Sequence, residues 1–149
     1  MKRKENIFDK IGTLIPGYIG YKERESRRNC DRQLREQISD ILSKSEKKIL
    51  SIFENYELEE YSKIEKIRKK ISNLKDNITY SPYGATALFS DYEIKENELD
   101  KIYQQDLIII KLVLELEEII NVGDFNQINQ IISDVADSVN KRNELIKFI

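Results

Sequence analysis

Five of the chain's eight arginines lie within twelve residues: Arg24, Arg27, Arg28, Arg32 and Arg35. Lysine is the usual base elsewhere, so the use of arginine here points to a specific chemistry. Its planar fork holds a carboxylate or a phosphate through two parallel hydrogen bonds, which an ammonium cannot match. Positions 24, 28, 32 and 35 follow helical spacing and predict a cationic ridge along one helix face. The expected occupant of the ridge is an anion. Carboxylates of the same fold are favoured over a partner's phosphate, because charge runs are usually compensated internally.

Asp106 is the second residue of interest. It takes an apolar place in the stripe Leu99, Ile102, Asp106, Ile109, Val113, Leu116, Ile120. A carboxylate buried alone costs several kcal/mol, so a cation must reach it. The expectation is a structural ion pair with Arg28 or Arg32. A catalytic carboxylate is disfavoured, since no second acid, histidine or metal-ligand set accompanies it.

Cys30 has Arg27 and Arg28 nearby, which would lower a thiol pKa, but it also sits four residues before Leu34 on an apolar stripe. It is expected to be a small buried hydrophobe. Tyr80, Tyr83, Phe89 and Tyr92 cluster in a segment without helical pattern. They suit a stacking platform, a partner-binding patch or, preferred here, a lid over one end of the fold.

Enzyme chemistry finds little support. The chain has no histidine, the commonest general base and metal ligand. Glu54-x-x-Glu57 and Glu115-x-x-Glu118 supply only half of the paired acidic motifs that hold magnesium in bundle-type hydrolases, and Gly17-x-x-Gly20 lacks the rest of a phosphate loop. No cofactor and no metal are expected.

The elements that must position these residues are helices. With 149 residues, 35% charged, 40% hydrophobic, five glycines and two prolines, the composition favours long solvated helices in one domain. Ile7, Phe8, Ile11, Leu14 and Ile15 predict a short amphipathic helix stopped by Pro16-Gly17. A stripe from Cys30 through Leu34, Ile38, Ile41, Ser45, Ile49 and Ile52 to Tyr56 predicts a helix from about Lys22. A break is placed near Glu54 to Glu57 with Asn55 as cap, because an unbroken helix over both stripes would be about 80 Å long. The next stripe is Tyr61, Ile64, Ile67, Ile71, Leu74, Ile78.

Residues 79–94 read as a long loop. Ile94 and Leu99 suggest a hydrophobic staple at the start of the Asp106 helix, and Leu107-Ile-Ile-Ile is read as helix buried on most sides. Gly123 ends that helix. Asp124 with Gln127 predicts a capping box for the last one (Phe125, Ile128, Ile132, Val135, Val139, Ile146), and Val122 with Ile128 a second staple.

The resulting fold is all-α: an antiparallel four-helix bundle over 21–149, with residues 1–20 as an N-terminal amphipathic segment and the aromatic loop between bundle helices two and three. Residues 1–80 carry a net +5 and residues 81–149 a net −7. The halves are therefore expected to face each other.

Two stretches resemble a family of bacterial conserved proteins without established function. One runs Pro16-Gly-Tyr-Ile-Gly-Tyr-Lys-Glu-Arg-Glu-Ser-Arg-Arg-Asn-Cys-Asp-Arg-Gln-Leu-Arg35, matching a Gly-Tyr-x-Gly-Tyr-Lys…Arg-Arg-x-x-Asp-x-x-Leu-Arg core. The other is Tyr83-Gly84, Phe89 and Leu99-Asp-Lys-Ile-Tyr-Gln-Gln-Asp106, matching a later segment that ends Leu-x-x-x-Tyr-x-x-Asp. The chain departs at Ala85 and Leu88, where the family carries tyrosine and phenylalanine. The resemblance implies an all-helical protein.

The functional expectation is a non-enzymatic interaction or scaffold protein whose partner is another protein or a second copy. A peripheral role at an anionic membrane surface through residues 1–15 is a further expectation, and phosphate or nucleic-acid binding through the ridge is the alternative. The basic start Met1-Lys-Arg-Lys looks like the front of a signal peptide, but Asp9 and Lys10 break its apolar stretch. The single cysteine and the lack of a long apolar run suit a cytoplasmic protein.

Overall fold

The computed structural model describes residues 7–23, 26–52, 55–80, 94–122 and 124–147. They are mostly helical, with no strand among the described residues, and form five helices packed against one another. These are α1 (Ile7–Leu14), α2 (Arg27–Ile52), α3 (Tyr61–Tyr80), α4 (Glu96–Ile119) and α5 (Phe125–Lys147). No helix among the described residues is long and apolar enough to cross a membrane.

The stripes do the packing. Leu34, Ile38, Ile41, Leu42 and Ile49 of α2 are buried, as are Ile64, Ile67 and Ile71 of α3. In α4 the run Leu107–Ile110 is helical and buried except at Ile108, which is 44% exposed. Ser45, the one hydroxyl in the α2 stripe, donates to the Ile41 carbonyl and so costs the core no unpaired polar atom.

Helix pairings follow from cross-helix contacts. Ser39 meets Thr79 and Glu46 meets Arg68, so α2 and α3 run antiparallel. A short turn makes α4 and α5 antiparallel as well, and Gln105 donates to the Ser138 carbonyl across them. Each hairpin lays one helix along its counterpart in the other, α2 against α4 and α3 against α5, with α1 on α4. Helices α2 and α5 therefore stand diagonally across the core.

Several local expectations resolve clearly. The chain does break between Ile52 and Tyr61, but the cap position there is Glu57, not Asn55; α3 grows out of a 3-10 turn at Leu58–Glu60. Helix α2 begins at Arg27 rather than near Lys22. The box at α5 forms in both directions: the Gln127 N–H donates to Asp124 Oδ1 at 2.7 Å and the Asp124 N–H to Gln127 Oε1 at 3.1 Å. The staple beside it does not form, because Val122 is 83% exposed. Lys95 caps α4 with no side-chain bond, as its type suggests.

After Ile15 the backbone turns at Gly17 and Gly20, with φ of 84° and 87°, a region that side chains with a Cβ rarely adopt. Those turns drop Tyr18 and Tyr21 into the core while Ile19 stays 55% exposed.

Candidate functional site: a buried tyrosine–carboxylate–arginine network

Asp106 is fully buried near the middle of α4. Its Oδ2 accepts from Tyr18 Oη at 2.8 Å and from Tyr21 Oη at 2.6 Å. Its Oδ1 accepts from Arg142 Nε at 2.6 Å. The same guanidinium reaches further: Arg142 Nη2 donates to Tyr21 Oη at 2.9 Å and to Asp31 Oδ1 at 2.7 Å. One cation of α5 thus joins a carboxylate of α4, a carboxylate of α2 and a hydroxyl of the connector.

The outer ring is arginine-rich. Arg35 Nε stands 2.8 Å from Asp31 Oδ2, a charge contact off the hydrogen-bond angle, and Arg35 Nη1 donates to the Ile78 carbonyl in the last turn of α3. Arg27 Nε donates to the Tyr21 carbonyl, while the Tyr21 N–H donates to Tyr103 Oη. The Tyr21 and Tyr103 rings stack with centroids 5.5 Å apart, and Tyr18 meets both edge-on. Every one of these side chains is at most 10% exposed.

Burial sets the proton affinities. It pushes the Tyr18, Tyr21 and Tyr103 hydroxyls up, and the Asp106 charge adds to the rise. It also raises the Asp106 carboxyl above the usual range, opposed by Arg142 and by the bonds from both tyrosines. The Cys30 thiol is pushed up to about 12 by burial and by Asp106, so it is an inert core residue and not an activated nucleophile.

The arginine cluster is divided by this arrangement. Arg27 and Arg35 are buried, whereas Arg28 and Arg32 face outward and Arg24 lies outside the described residues. Arg32 is 61% exposed, bonds Asn29 and approaches Glu36 at 4.0 Å. A continuous ridge is therefore not what forms among the described positions. Arg35 reaches the Ile78 carbonyl of α3 and Arg27 the Tyr21 carbonyl, whereas Arg32 contacts Asn29 and Glu36 of its own helix. The cation for Asp106 is Arg142, not Arg28 or Arg32. The halves meet with inverted charge here, since the arginine comes from the acidic half and Asp31 from the basic one.

Sequence reasoning missed Arg142, Tyr18, Tyr21 and Tyr103 as members. A signal for Arg142 existed: it fills the seven-residue gap between Val139 and Ile146 on the α5 stripe. Of the loop aromatics, Tyr80 closes α3 with 78% exposure, and Tyr83, Phe89 and Tyr92 lie outside the described residues.

A void of about 20 Å³ adjoins Arg35, Arg142 and Asn143, room for a single water. No group of three His, Cys, Asp or Glu side chains among the described residues is placed to hold a metal ion. What this arrangement does chemically is bind its own parts together: it joins the N-terminal connector to helices α2, α3, α4 and α5. No protein-family model, curated protein or solved structure matches the chain.

Proposed function

We propose that the chain is a non-enzymatic interaction module, with α2 to α5 forming a four-helix bundle and the N-terminal segment fastened into it. The observation that carries this reading is the closure of the Asp31–Asp106–Arg142 network. Its carboxylates are wholly buried and bonded to side chains of the same chain, so its chemistry is spent on the fold. Action on other molecules then falls to the surface, where Ile19, Leu58, Ile108 and Val122 are exposed apolar side chains.

A protein partner fits better than a membrane. Ile11 and Ile15 of the N-terminal segment are buried in the core, and a lipid surface would have to pull them out. Site-specific photo-crosslinking from Ile19, Leu58, Ile108 and Val122 in the full chain tests the proposal. One or two positions should give a discrete adduct with one protein or with a second copy. A uniform smear from all four positions, or no adduct from any, would refute it. Flotation with anionic and neutral vesicles tests the membrane role; lipid binding lost on removing residues 1–15 would restore it.

A second reading has its own observation. Arg28 and Arg32 share the outward face of α2, and a phosphate or nucleic-acid strand lying across that face would engage both.

A further inference from the structure

The end of the molecule away from the network carries a groove of about 440 Å³, bordered by the turn between α2 and α3 and by the start of α5. Its floor is an aromatic pair, Tyr56 and Phe125, with ring centroids 5.7 Å apart and tilted by 39°. Both rings are half-buried, each packing one side on the core and leaving the other toward the groove. Along its edge stand three carboxylates, Glu57, Glu60 and Asp124, against one ammonium, Lys63.

That surplus of negative charge is incompletely answered from within. Glu60 Oε2 is buried and has no hydrogen bond, and Lys63 Nζ stands 3.9 Å from it. The same Nζ lies 5.9 Å from the Phe125 ring centroid. Lys63 thus already adopts the pose of a cation over an aromatic face beside a carboxylate. It holds that pose loosely, with 63% of its side chain exposed.

The geometry points to a docking site for a partner protein's lysine or arginine side chain, presented with apolar neighbours. An alkyl stem would lie on the Tyr56 and Phe125 rings while its cationic head met Glu57 and Glu60, combining ring-face attraction with charge pairing. The neighbours' counterparts are Leu58, next to Glu57 in sequence, and Val122, two residues before Asp124, which are 80% and 83% exposed. The same carboxylates repel phosphate, so a nucleic acid is disfavoured here. From Phe125 to Arg142 is about 25 Å along α5, so the groove is separate from the buried network.

This inference rests on the protein-contact reading above and specifies its partner. The test titrates the isotopically labelled full chain, at low salt, with the peptide acetyl-Leu-Arg-Leu-Arg-amide and with its Gln counterpart, following backbone amide signals. The arginine peptide should shift signals confined to residues 55–63 and 124–127, and the glutamine peptide should not. The Glu57→Gln/Glu60→Gln pair, judged folded by its unchanged helical circular dichroism, should bind the arginine peptide about fivefold more weakly. Lys63→Ala, which removes the internal competitor, should bind it more tightly. Shifts at exposed carboxylates over the whole surface would overturn the inference, as would equal binding by the Gln pair or by the Gln peptide. A discrete crosslink from Ile19 or Ile108 with a failed titration would reject the groove and leave the contact reading standing.

Discussion

Arg142 and Asp31 are 111 residues apart in the chain and meet at 2.7 Å across the diagonal of the helix array. Helices α2 and α5 touch little elsewhere, so this contact ties together elements that the apolar stripes alone leave separated. The guanidinium is suited to it because its fork serves Asp106 through Nε while Nη2 serves Asp31 and Tyr21.

Replacing Arg142 by Met should leave two buried carboxylates without their shared cation. The expected loss is about 3–5 kcal/mol, read from urea unfolding, and the Asp31→Asn/Arg142→Met double variant should recover part of it. Arg142→Lys should behave like Met, because one ammonium cannot span the three acceptors. A lysine variant as stable as the parent would contradict the bridging role.

The two connector tyrosines differ in what they lose. Tyr18→Phe removes one of two donors to Asp106 Oδ2, whereas Tyr21→Phe removes a donor to Asp106 and the acceptor for Arg142. Thermal unfolding should show losses of about 1 kcal/mol for the first and about 2–3 kcal/mol for the second. Equal losses would mean that the Arg142 contact with Tyr21 carries no energy.

Stability should fall in alkali. Unfolded tyrosine ionises near pH 10 and cysteine near pH 8.5, as a general rule. Folding holds these protons on Tyr18, Tyr21 and Tyr103 to higher pH and on Cys30 to about 12. Their contribution is whole below about pH 8.5. Above it, unfolding releases protons that the folded state keeps, at about 1.4 kcal/mol per pH unit for each group inside its window. Tyrosinate absorbance of the buried hydroxyls should therefore rise together with loss of helical circular dichroism. A separate, earlier rise of all eight tyrosines would refute the burial described here.

Cys30 should resist modification by a disulfide reagent at pH 8 in the folded chain and react at once in denaturant. Rapid labelling of folded protein would show an accessible thiolate.

The arginines of α2 should separate by position. Arg32→Ala should change stability by less than about 0.5 kcal/mol, and Arg35→Ala should cost about 2–3 kcal/mol through Asp31 and the Ile78 carbonyl. If the anion reading is right, Arg28→Ala/Arg32→Ala should abolish salt-sensitive binding of single-stranded nucleic acid. If the parent shows no such binding at low salt, that reading ends.

Much of the scaffold was legible because apolar period and capping chemistry are local. The α5 box needed only Asp124 and Gln127, and the break before α3 followed from helix length. The need of Asp106 for a cation was legible too, from its place on a stripe. Its partner was not, because a periodicity argument assigns charged residues to solvent and so passes over Arg142. Nor did spacing reveal that Arg35 bonds a carbonyl of α3 while Arg32 contacts its own helix, since that depends on how two helices pack. The polar residues that a stripe argument leaves out include Tyr18, Tyr21, Arg27, Arg35 and Tyr103. All of them belong to the network.

The meeting of charges at the centre also fixes how the helices can slide. Isoleucine stripes tolerate a shift by one turn, since the next isoleucine fills the same place. A one-turn ratchet of α5 along α4 would carry the Arg142 guanidinium about 5.4 Å from Asp106 and strand both acids in oil. Axial alignment in this molecule is therefore set by ionic bonds, and its greasy seams are left to supply cohesion.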